Sequence, residues 1–88
     1  MIDWLRYIAC RMILARLKAE WAAERRRQRE GGAEALRSEA WQALCRERAE
    51  AVEELHTDVL AAAAHGAIDY PWAQALLRDL GALRARIL

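Results

Sequence analysis

A chain of 88 residues with a net charge of +1 makes one domain at most, near the lower size limit for a self-sufficient core. Its apolar share is 56%, but much of that is alanine and there is no Phe, so a lone monomer is expected to be marginal and an oligomer or a subunit of something larger is favoured. Asp3, Arg6, Arg11 and Arg16 interrupt the first apolar run, which excludes a membrane span or a signal segment there.

Only Gly31-Gly32 and the stretch from Gly66 to Pro71 break helix. The pattern therefore predicts an all-α fold: one helical domain over 1–88, with helices near 2–30, 33–65 and 70–88. The expected architecture is a three-helix bundle with a long helix 1–helix 2 hairpin and a shorter third helix. At 1.5 Å per residue the first two helices run about 45–50 Å and the third about 27 Å. The far end of the hairpin, which carries Leu17, Trp21, Trp41 and Leu44, is then expected to lack cover from the third helix.

The first helix carries two apolar stripes. At 100° per residue, Leu5, Ile8, Met12, Ala15, Ala19 and Ala22 share one side, and Cys10, Leu14, Leu17 and Trp21 lie nearly opposite. Arg11, Lys18 and Arg25 form a seam between them. Two stripes predict protein contact on two sides, one within the chain and one with another molecule. They also argue against an interfacial membrane helix, which needs a single apolar face.

The second helix has a row with heptad-like spacing: Trp41, Cys45, Arg48, Val52, Leu55, Val59 and Ala62, with Arg48 as its one charged member. Residues 1–30 hold eight basic and four acidic side chains, whereas residues 31–66 hold three and seven. A basic first helix against an acidic second one supports antiparallel pairing. In that pairing Cys10 and Cys45 fall about 12 Å apart along the axis, too far for a disulfide, and two free thiols suit a reducing cytoplasm.

Gly66 is placed to end the second helix in the left-handed conformation, and Pro71 sits in the first turn of the third, capped by Asp69 or Tyr70. Ala73, Leu76, Leu77, Leu80, Leu83 and Ile87 form that helix's expected buried stripe.

No enzyme is expected. His56 and His65 are nine residues apart on opposite faces, no paired-cysteine or His-Glu metal spacing exists, and there is no Gly-rich phosphate loop. No metal or other cofactor is therefore expected. Ser38, Thr57, Tyr7 and Tyr70 have no evident base beside them. The one dense charge feature is Glu24 to Glu30, which holds Arg25, Arg26, Arg27 and Arg29. Its simplest reading is a solvated helix end complementing the dipole. The functional reading makes these arginines phosphate contacts, with Trp21 as a stacking platform.

The stretch Leu60 to Leu80, with its apolar helix end, short turn, Ile68-Asp69-Tyr70 segment and following Leu76, Leu77 and Leu80, resembles the closing helical hairpin of the small subunit of type I CRISPR surveillance complexes (Cascade). The resemblance covers about a quarter of the chain. It implies a non-catalytic, nucleic-acid-binding subunit that supports the guide–target duplex and the displaced strand, where base pairing reads sequence and arginines hold phosphates. The chain is shorter than typical members of that family, and no binding residue of the family maps onto it by motif.

The leading functional expectation is thus a cytoplasmic, non-catalytic subunit of a nucleic-acid-binding assembly. Other protein subunits or a second copy are its partners, RNA or DNA is bound by Arg25, Arg26, Arg27 and Arg29, and Leu17, Trp21, Trp41 and Leu44 form the partner interface. The alternative is a small helical protein-binding module, an inhibitor or adaptor. Axial position further predicts two tryptophan pairs, Trp4 with Trp72 and Trp21 with Trp41.

Overall fold

Serine at position 38 changes the expected layout. In the computed structural model, which describes residues 2–87, the chain forms α1 (Ile2–Glu30), α2 (Ala33–Arg37), α3 (Glu39–Ala64) and α4 (Tyr70–Ile87). Met1 and Leu88, included in the expected domain, lie outside the described residues. The helix expected over 33–65 is split because Ser38 adopts an extended conformation (φ −66°, ψ 150°). Its Oγ accepts a hydrogen bond from the Trp41 backbone N–H at 3.2 Å and donates one to the Ala35 carbonyl at 2.8 Å. Serine competes well with the helical ladder for such local bonds and is a strong N-cap. The result is an all-α bundle of three long helices with one short helix at the hairpin tip.

The second turn follows its predicted chemistry. Gly66 has φ 74°, the Gly66 N–H donates to the Ala63 carbonyl at 3.1 Å, and the Ala67 N–H donates to Ala62 at 2.8 Å. These are the two bonds of a Schellman cap, and they return the chain so that α4 runs back along α3. Ile68, inside the turn, is buried and anchors it.

The core is centred on α3 and α4. Val59, Leu76 and Leu80 are wholly enclosed, with Val52, Ala73 and Leu83 around them. The expected rows of both helices are the ones buried, except that Cys45, Arg48 and Leu77 are only half-buried. α1 lays the stripe of Leu14 and Trp21 on this pair, flanked by half-buried Tyr7, Cys10 and Leu17. The molecule is elongated, 48 × 17 × 15 Å between Cα extremes.

Two packing expectations need correction. Trp21 and Trp41 are 5% and 8% exposed in the single chain, so no second chain is needed to bury them. Their rings stack at 5.1 Å and 15°, and Leu36 of α2 and Ile87 of α4 line the same depression. Helix length alone missed this cover: each indole shields a face of the other, and the last turn of α4 reaches them. Leu17 and Leu44 are half-buried against the same core, which leaves little of the expected interface free.

The pairing of Trp4 with Trp72 is the second correction. Trp72 packs instead on Tyr7, with ring centroids 5.0 Å apart, and Trp4 is 54% exposed. Axial height placed Trp4 near Trp72, but the ring that reaches Trp72 is that of half-buried Tyr7, about one turn further along α1 and about 60° round it.

Candidate functional site

The C-terminal half of α1 and the last turns of α4 enclose a groove of about 310 Å³. Its walls are Lys18, Arg25, Arg26 and Arg29 from α1 and Arg86 from α4, and its floor is Trp21, Ala22 and Leu83. Helical spacing produces the wall. Lys18, Arg25 and Arg29 recur at seven and four residues and so share the edge of α1 that faces α4. Among the described residues no carboxylate lines the groove and none of these five cations makes an ion pair.

Three of the four arginines singled out from the sequence therefore converge. Arg27 does not: it points to the other side of α1 and donates to Glu24 Oε1 at 2.7 Å. None of the four is engaged by Glu34 or Glu39. Trp21 is no stacking platform, because it is buried against Trp41 and forms the groove's floor. Sequence reasoning did not place Lys18 and Arg86 in the site. The seam of Arg11, Lys18 and Arg25 was the available signal for the first. Arg86 joins only through the α1–α4 packing.

The cations outside the groove are mostly committed to structure. Arg11 pairs with Asp79 of α4 and also donates from Nε to the Tyr7 hydroxyl at 2.7 Å. The hydrogen bond from Arg11 holds the Asp79 carboxyl below its ordinary pKa, and the charges of Arg11, Arg78 and Lys18 add to this against the opposing effect of desolvation. Arg84 pairs with Glu53 across α3 and α4 at 2.6 Å. Arg48 reaches Glu20 of α1 at 3.2 Å, but its Nε is buried without a partner.

A second surface lies at the other end of α1. Leu5 and Met12 are 63% and 68% exposed, and Trp4 and Ile8 are open beside them. This is the outer of the two predicted stripes, and none of the described elements covers it. Next to it, a wider depression between α1 and α3 of about 530 Å³ is lined by Arg6, Cys10, Ile13, Asp58, Ala61 and His65, among others. Burial pushes the Cys10 thiol up, with Arg6 opposing and Asp58 adding to the rise. Among the described residues, no helix is long and apolar enough to cross a membrane.

No family model, curated protein or solved structure matches the chain.

Proposed function

We propose that the chain is a non-catalytic helical subunit of a nucleic-acid-binding assembly, and that its α1–α4 groove holds a phosphate backbone. The observation that carries this reading is the set of Lys18, Arg25, Arg26, Arg29 and Arg86, unpaired among the described residues, around one groove that no carboxylate of those residues lines. Arg16 and Arg27 find carboxylates within a turn of α1, and Arg84 pairs with Glu53 across α3 and α4. Four arginines and a lysine that make no such pair, gathered around one groove, create a local positive field suited to a polyanion. The groove offers no ordered set of base-reading donors and acceptors, so binding is to the backbone and independent of sequence. Such a role agrees with what the resemblance to the Cascade small subunit implies.

The test is titration of labelled single- and double-stranded DNA and RNA over a range of salt. Replacing Arg25, Arg26, Arg29 and Arg86 with Gln is expected to weaken binding to all sequences alike. It should flatten the slope of log K against log salt by about 0.7–0.9 per lost phosphate contact. Arg27→Gln, outside the groove, should leave the slope unchanged. Absence of binding at low salt, or an Arg27→Gln effect as large as that of the groove variants, would overturn the reading. The uncovered outer stripe of α1 favours a second reading, a protein-binding module, and the two are compatible in one subunit.

A further inference from the structure

The outer stripe of α1 is a heptad seam. Leu5, Met12 and Ala19 recur at seven residues, and Ile8, Ala15 and Ala22 recur three residues behind them, which gives alternating spacings of three and four. These are the a and d positions of a coiled coil. All six are exposed, and among the described residues only Ala22, at the α1–α4 groove, lies beside another helix. The seam runs over about 26 Å, long enough for nearly three heptads.

The flanking positions say what kind of helix fits. On one side, seven residues apart, stand Trp4, Arg11, Lys18 and Arg25, and on the other Ala9, Arg16 and Ala23. Every charged residue at these e and g positions is basic. In coiled coils these positions choose the partner, because they meet their counterparts across the seam. A second copy of α1 would set basic flanks against basic flanks in either direction. The exposed seam of α3 is no better: Ala43, Glu47, Glu50, Glu54, Thr57 and Ala61 would bury three glutamates against Leu5, Ile8 and Met12.

We infer that the outer face of α1 is a docking seam for one amphipathic helix of another protein, apolar at its a and d positions and acidic at its e and g positions. The large side chains Leu5, Ile8 and Met12 anchor the partner at one end, and Ala15, Ala19 and Ala22 let the helices approach closely at the other. Lys18 attracts its acidic flank most directly; Arg16 and Arg11 contribute less, because Glu20 and Asp79 already stand beside them. This inference goes beyond the groove reading and stands without it.

The probe is a synthetic four-heptad peptide with Leu at a and d and Glu at e and g, compared with its twin carrying Lys at e and g. Binding to the full chain is followed by the anisotropy of a label on the peptide. The Glu peptide is expected to bind at least about tenfold more tightly than the Lys peptide. The exposed-site variant Ile8→Asp/Met12→Asp should lose that binding while its circular dichroism and melting stay unchanged. The charge-reversed variant Arg16→Glu/Lys18→Glu should swap the preference toward the Lys peptide. Equal binding of both peptides, or Glu-peptide binding that survives Ile8→Asp/Met12→Asp, would overturn the inference. So would self-association of the chain at micromolar concentration that Met12→Asp abolishes, since a second copy would then be the occupant. A Trp4 fluorescence shift on phosphatidylglycerol vesicles, without Glu-peptide binding, would assign the face to lipid instead.

Discussion

At the hairpin tip, Trp21 and Trp41 are enclosed by one another and by Leu36 and Ile87. At the opposite end of the same helix, Trp4, Leu5 and Met12 stand in solvent. Both regions are rich in large apolar side chains, and from the sequence the tip was the one expected to need a partner. The contrast teaches that residue size does not mark an interface. What marks one is an apolar row whose angular position on the helix no other element reaches. The tip lies on the inner side of α1, and the N-terminal stripe lies on the outer side.

Mutations at the two regions should therefore fall into opposite classes. The largest effect belongs to Trp41→Ala, which should cost about 3–5 kcal/mol of folding stability by opening a cavity beside Trp21. In a domain this small that is enough to unfold most of the population at room temperature, and urea denaturation followed by circular dichroism reads it directly. A loss confined to partner binding, with folding intact, would restore the tip as an interface and break the comparison.

A smaller effect sharpens it. Ser38→Ala removes the cap that starts α3 and is expected to cost about 1 kcal/mol. Hydrogen exchange should show the loss first at the α3 N-terminus, around Trp41, and leave the outer stripe of α1 unaffected.

The Arg11–Asp79 pair ties the two regions together at mid-helix. Asp79→Asn should cost about 0.5–1 kcal/mol, because the pair is partly exposed and screened. The sign with pH follows from the depressed carboxyl pKa in the folded state. The contribution is fully present above the ordinary Asp value of about 4. It is lost as pH falls through the lower folded value, so the wild type should lose its advantage over Asp79→Asn in acid. Stability curves of the two proteins between pH 7 and pH 2 check this.

The smallest effect lies where the apolar surface is largest. Trp4→Ser and Met12→Ser should each change stability by less than about 0.5 kcal/mol, since neither side chain is buried. A destabilisation comparable to that of Trp41→Ala would mean that the outer stripe is covered by the chain itself.

Much of the fold was legible in the sequence. Helical periodicity located the buried rows of α3 and α4, and Gly66 with Pro71 located the second turn. Those features are local, set by a few residues of backbone chemistry. Ser38 was legible too, but a single serine inside a long periodic run is outweighed by the pattern around it until its Oγ is seen bonded to Trp41 N–H and the Ala35 carbonyl. The site was only half legible. Arg25, Arg26 and Arg29 were visible as a charge run. Arg27 could not be separated from them without its Glu24 partner, and Arg86 is brought in by tertiary packing 57 residues from Arg29. Both stripes of α1 were visible in the sequence, and the bundle buries the one with Leu14 and Trp21, but nothing local decides which of two apolar faces it will take.

The two thiols offer a way to time these regions separately. Cys10 lies beside the outer stripe in the α1–α3 depression, and Cys45 lies beside the stacked indoles. Burial raises the pKa of both, and each side chain is half-buried, so alkylation of either is slowed while its surroundings stay closed and quickens as they open. Single-cysteine versions of the chain thus become two clocks within one molecule. The one at Cys45 ticks with the breathing of the hairpin tip, and the one at Cys10 with the lifting of α1 from α3.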